Sequence, residues 1–161
     1  MKKTIIIASV VVAVCVVIAA GVIAYIWTRP CMKLPADFVR VERRKAGPYE
    51  VRAIAADGTV VGLRRQWNPE NGSLKFWTEA VKRELTDGRG YAATAEEDVK
   101  ADNGTPGRLM KFSANPRGQD AVYLVALFVT NGDVLVAEAG GTADAMKTHE
   151  GELRKCLLSA R

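Results

Sequence analysis

Catalysis needs side chains that exchange protons, hold metals or attack electrophiles, and this sequence is sparing with them. It has one histidine, His149, and three cysteines, Cys15, Cys31 and Cys156. His149 falls in register with Met146, Leu153, Cys156 and Leu157 at helical spacing, so it reads as a core or boundary histidine before it reads as a general base. Zinc sites collect several His or Cys at short spacings, and neither CxxC nor HxxxH occurs here. No GxSxG, GxGxxG or P-loop is present, so a nucleophile elbow and a phosphate cradle have no counterpart. Glu96, Glu97, Asp98 and Asp102 gather near an expected hairpin end, as a solvated acidic turn or a weak calcium site. No catalytic, metal or cofactor residue is assigned on this pattern, and the chain is expected not to be an enzyme. A hydrolase built on His149 is retained only as a competing reading.

Two groups of residues suggest binding or stapling. Cys31 and Cys156 both fall in a region expected outside the cytoplasm, where thiols can oxidise. A bridge between them would close a long loop, worth roughly 4–5 kcal/mol in the chain-entropy model. The alternative is a buried free Cys156, with Cys31 unpaired or paired between chains. Trp67, Phe76 and Trp77 form an aromatic group where a helix should meet a sheet. They would serve as ordinary core or as the wall of a site for a small apolar or peptide ligand.

The N-terminal segment carries the strongest physical signal. Between Lys3 and Arg29 there is no charged side chain, and residues 4–27 would span about 36 Å as a helix, enough for a hydrocarbon core of about 30 Å. Valine and isoleucine, which dominate this run, are modest helix formers in water, but in lipid the backbone must bond to itself. Tyr25 and Trp27 fall at the expected interface, and Cys15 there acts as a small apolar residue. A membrane anchor over residues 1–28 is therefore expected. A cleaved signal peptide ending near Ala19-Ala20 competes with it, but the apolar run continues to Trp27. Lys2 and Lys3 favour an inside N-terminus and an exported domain on a bacterial inner membrane. Ser9, Ala13, Ala20 and Ala24 would share one helix face, where a partner helix could approach closely.

Residues 29–37 read as a linker and residues 38–161 as one domain. Net charge is +5; residues 29–67 hold nine basic and four acidic side chains, whereas residues 68–161 hold twelve and fourteen. The excess near the anchor suits anionic lipid head groups or a plain solvated face, and no nucleic-acid partner is inferred. Strands are expected over 38–43, 49–55, 59–67, 91–101, 108–114, 121–130 and 134–139, from period-two patterns. Asp57-Gly58, Asn103-Gly104 and Asn131-Gly132 supply the tight turns, with type I′ geometry expected for the Asn-Gly pairs. Helices are expected over 74–85, capped by Ser73 with a stripe of Leu74, Trp77, Val81 and Leu85 widened by Phe76, and over 143–159, capped by Thr142. The order gives an α+β domain: about six or seven antiparallel strands, ending in a four-strand meander, covered by two helices.

Several local sequences resemble those of the PsbP-like fold, an α/β/α sandwich whose bacterial members include the DcrB family of envelope proteins. They are Phe76-Trp77 entering the first helix, Gly90-Tyr91 opening the next strand, and Gly104-Thr105-Pro106-Gly107 leading into a long strand. Tyr123 in the central strand and Glu138-Ala139-Gly140-Gly141 before the last helix complete the set. The similarity covers residues 38–160. It implies an accessory, assembly or ligand-recognition role in a membrane-associated complex, and it brings no catalytic or metal residues with it. The sequence thus leads to a membrane-anchored binding or assembly module with protein partners, with a receptor domain for a small ligand as the alternative.

Overall fold

Two segments, Ala121–Val129 and Asp133–Thr142, are apolar at nearly every position, a pattern suited to strands covered on both faces. In the structure, a computed structural model that describes residues 16–18, 29–130 and 132–161, they lie in the middle of the sheet. The strands are β1 (Val39–Arg40), β2 (Val51–Ile54), β3 (Val60–Trp67), β4 (Ala92–Lys100), β5 (Pro106–Ala114), β6 (Ala121–Val129) and β7 (Asp133–Thr142). All neighbours are antiparallel, in the order β1-β2-β3-β7-β6-β5-β4. The expected meander β4 to β7 is present, and β7 closes against β3 to join it to the N-terminal strands. The first expected strand shortens to two residues and is followed by a 3₁₀ turn at Arg43–Lys45.

One helix covers each face. Helix α1 (Leu74–Arg83) lies over β5 and β6, and its end widens into a π turn over Glu84–Gly88. Helix α2 (Ala143–Leu158) lies over β6 and β7 on the opposite face. Both start as expected: the Ser73 hydroxyl accepts from the Phe76 N–H at 3.2 Å, and that of Thr142 from the Ala145 N–H at 3.3 Å. Alternation along β7 divides the core: Leu135, Ala137 and Ala139 pack under α2, and Val134 and Val136 under α1. Val81 of α1 and Leu85 of the π turn are buried with Leu74 and Trp77 packed against their cluster, as expected, and Thr78 is buried as well. Phe76, expected to widen that stripe, is 60% exposed and packs edge-on against Trp77.

The turns differ from expectation in type. At Ala101–Gly104 the Gly104 N–H donates to Ala101 C=O at 2.8 Å, and only Gly104 has positive φ, +85°. That is a type I turn with glycine at the left-handed position, because Asn103 spends its side-chain oxygen on the Thr105 N–H at 3.0 Å. Asp57-Gly58 follows the same plan, with Asp57 Oδ1 accepting from the Thr59 N–H at 2.9 Å. Asn131 lies outside the described residues.

The expected linker is fastened to the domain. Cys31 and Arg161 exchange backbone hydrogen bonds at 2.8 and 3.1 Å, the Lys33 N–H donates to Ser159 Oγ at 2.8 Å, and Met32 and Phe38 are buried in the α2-side core. Among the described residues no helix is long and apolar enough to cross a membrane. The expected span lies outside them, apart from Val16–Ile18, which are helical and exposed. The proposed partner face Ser9, Ala13, Ala20 and Ala24 also lies outside them.

Candidate functional site

On the α1 face the helix covers only part of the sheet. Its C-terminal half, with the π turn, forms one wall of a cleft of about 240 Å³, whose floor is made by β3, β7 and β6. Val81, Leu85 and Val125 give this cleft an apolar side, while Arg64, Arg89 and Glu138 give it a charged one. Glu138 stands in β7 between alanines, only 6% exposed, where an unpaired carboxylate would be costly. It is paired: Oε2 accepts from the Tyr49 hydroxyl at 2.8 Å and Oε1 from Arg64 Nε at 2.9 Å. Tyr123 faces the same carboxylate. Burial first, and then the Glu138 charge, push the phenols of Tyr123 and Tyr49 above the ordinary tyrosine value, so both remain protonated donors.

Two glycines allow this arrangement. Gly62 on β3 faces Glu138 across the ladder, and a Cβ there would lie 2.6 Å from the Tyr49 ring. Gly140 faces Tyr123, and a Cβ there would lie 2.9 Å from that ring. Each tyrosine ring thus passes close to a glycine, bringing its hydroxyl towards the carboxylate between them. Glycine within a strand often marks such a close approach. Arg89, on the turn after α1, donates from Nη2 to Glu84 Oε1 at 2.7 Å at the rim.

The expected aromatic group lies elsewhere. Trp67 is 70% exposed at the end of β3, Phe76 is on the surface, and Trp77 gives its indole N–H to Asn68 Oδ1 at 3.1 Å. All three sit at the loop that opens α1, whereas the cleft adjoins its other end. Cys31 and Cys156 are both free in the structure. Cys156 is on the buried face of α2, where desolvation pushes its thiol up to about 12, and Cys31 Sγ accepts from Arg161 Nε at 3.1 Å.

His149 is held between carboxylates, with Nε2 3.0 Å from Asp57 Oδ2 and Nδ1 3.6 Å from Asp37 Oδ2, and its ring edge-on to Phe38. Among the described residues its polar contacts are carboxylates and not a nucleophile, so it ties the Asp57 turn and the Asp37 segment to α2. Asp37, His149 and Glu152 place one potential ligand atom each within 4.8 Å of one another. The acidic run on β4 does not converge: Glu96 meets Lys82 and Arg108, Glu97 meets Arg154 from the other face, and Asp102 meets Lys33. These pairs cover an exposed edge strand with charge, which discourages further strand pairing.

Neither a known protein-family profile nor a curated protein matches the sequence. Solved structures do match. The solution structure of the PsbP protein of the cyanobacterium Synechocystis sp. PCC 6803 covers 83% of this chain and 86% of its own, at TM-score 0.59 and 11% identity. The crystal structure of LpqN from Mycobacterium tuberculosis, described as involved in cell envelope biogenesis, covers 80% and 79%, at TM-score 0.56 and 12% identity. This chain has the PsbP-like fold. The strand order, with one helix on each face, is the sandwich that the local sequences implied. Identities this low establish the fold alone.

The PsbP-like domain also shows what the pattern reading missed. Glu138 and Tyr123 counted there only as points of resemblance, and Tyr49, Arg64 and Gly62 as ordinary strand residues. The available signal was a single carboxylate inside the run Val134–Ala139, with a glycine on the neighbouring strand.

Proposed function

We propose that this chain is a non-catalytic binding module, held at the outer surface of a bacterial cytoplasmic membrane by residues 4–27, and that it serves as an accessory subunit of a larger membrane complex. The cleft beside α1 is its contact site. The observation that carries this reading is Glu138, a buried carboxylate held by donors at the floor of an otherwise open cleft whose lining, among the described residues, holds no Ser, Thr, Cys or Lys. A charged network costs desolvation that an apolar floor would avoid, so its presence in an accessible cleft favours recognition over packing. The likeness in fold to LpqN, described as involved in cell envelope biogenesis, supports a role at the envelope. The uncharged run ahead of Arg29 supports the anchor.

The test is a photo-crosslinking amino acid placed at Gln66, which lines the cleft, in the full-length chain in its own membranes. A discrete adduct at Gln66, absent when the crosslinker sits at exposed Ala92 on β4, is the expected result. A chain that forms no adduct and runs as a monomer in mild detergent would overturn the reading. A C-terminal reporter active only outside the cytoplasm checks the orientation.

A further inference from the structure

We propose that the cleft is a carboxylate-binding site, in which Arg64 supplies the docking edge and buried Glu138 fixes that arginine in place. This rests on the cleft being the contact site and adds the chemistry of what it contacts.

The argument begins with how Arg64 is held. A guanidinium offers five N–H donors in a rigid fork and pairs most strongly with a carboxylate through two parallel bonds. Here Glu138 receives only the single Nε–H of Arg64 at 2.9 Å, because its other oxygen is taken by Tyr49 at 2.8 Å. The terminal nitrogens of Arg64 have no protein hydrogen-bond partner among the described residues. The side chain keeps 26% exposure and lines the cleft. Its position is therefore fixed from below by a carboxylate that is itself held in the sheet, while its bidentate edge remains available. A docking group fixed in advance loses little side-chain freedom on binding.

The surroundings select the ligand. Arg89 adds a second guanidinium at the rim, and Glu84, the acid nearest to it, is already engaged with Arg89 Nη2. The tyrosines remain protonated, so they add no negative charge that would repel an anion. Val81, Leu85 and Val125 provide an apolar side for a short hydrocarbon tail. A volume of about 240 Å³ equals roughly eight waters at about 30 Å³ each. That suits a small aliphatic carboxylate or the last residue of a peptide, and both present the same planar group to Arg64.

The test titrates the full-length chain in neutral-detergent micelles with hexanoate, hexanamide and inorganic phosphate. It is read by calorimetry and by the Arg64 Nε–Hε signal in nitrogen-15 spectra. Saturable hexanoate binding that moves this signal, with hexanamide inert and phosphate weaker, is expected. Arg64→Gln should weaken hexanoate by at least about tenfold, the loss of one charge-assisted bond. Arg64→Lys should restore less than half of that loss in free energy, because an ammonium keeps the charge without the fork. Glu138→Gln should broaden the Arg64 signal as well as weaken binding, which identifies it as a positioning residue. Gln66→Glu, at an exposed position lining the cleft, should weaken hexanoate but leave the unfolding midpoint unchanged, so that a loss of binding is not mistaken for misfolding. Acetyl-Ala-Leu with a free carboxylate, compared with its amide, identifies the source. Tighter binding of the peptide acid than of hexanoate assigns a peptide C-terminus, and the reverse assigns a small acid. No saturable binding, equal binding of hexanamide, or phosphate as tight as hexanoate would overturn the proposal. A Gln66 adduct without carboxylate binding would remove only this proposal; carboxylate binding without an adduct would remove the partner reading instead.

Discussion

The two faces of this sheet are built from alternate residues of the same strands, yet they have different properties. Under α2 the core is almost wholly apolar, with the hydroxyls of Thr59 and Ser159 as buried exceptions, and includes Leu153 and Leu157, which are fully buried, with Cys156 among them. Under α1 the apolar part is smaller, and beyond the helix the sheet carries Arg64, Glu138 and two tyrosines close to glycines. Burial of hydrocarbon is non-directional, so the α2 face is stable without asking for geometry. The polar face is stable only while each partner stays in place. One side therefore holds the domain together, and the other can be specific about what it meets.

The largest break in this contrast is expected at Glu138. Glu138→Ala should cost about 2–4 kcal/mol in denaturant unfolding, since it leaves partly buried Arg64 and two phenols without their acceptor. Replacing the pair together, Glu138→Leu with Arg64→Met, should recover most of that loss while cleft binding stays absent. Failure to recover would mean that the network supplies net stability. On the apolar face, Leu153→Ala should cost about 2–5 kcal/mol through cavity formation and leave hexanoate affinity unchanged. A change in affinity would show that the faces are coupled. Gly62→Ala, which forces the Tyr49 ring off the sheet, should cost about 1–3 kcal/mol as overpacking and disturb the cleft as well.

Alkaline titration separates the faces by onset. The unfolded Cys156 thiol ionises near 9, and the folded one at about 12. Its contribution to stability is therefore full below pH 9 and is lost as pH rises towards 12, because only the unfolded chain releases the proton there. The tyrosines of the cleft are also raised, from 10.0, so their contribution begins to fall only above pH 10. The unfolding midpoint of Cys156→Ala, measured from pH 8 to 11, should lose the earlier slope and keep the later one. The smallest effect is expected at the exposed Lys33–Asp102 pair, where Lys33→Ala should leave the midpoint within error.

Much of the architecture was legible because it rests on periodicity. The strands, both helices and both N-caps follow from spacing that the chain states locally, and β6 together with Val134, Leu135, Val136 and Ala137 of β7 declares two covered faces by lacking polar positions. The cleft was not legible for a physical reason. Tyr49, Arg64, Tyr123 and Glu138 come from four separate segments, and only strand register brings them together. Phe76 misled for the converse reason: helical spacing cannot say how far a sheet extends beneath a helix. The turn at Asn103 shows a third limit, since the residue pair permits type I′ but its own side chain favours a different closure.

The pairing of Cys31 with Arg161 has a mechanical consequence. The chain leaves the apolar N-terminal run at Arg29 and within two residues is bonded to Arg161, then to Ser159, while Lys33 reaches Asp102 on the β4–β5 turn. A tether of this kind has no slack. A pull or tilt applied at residue 29 is carried directly into the end of α2 and the edge of the sheet, as torque on a rigid body.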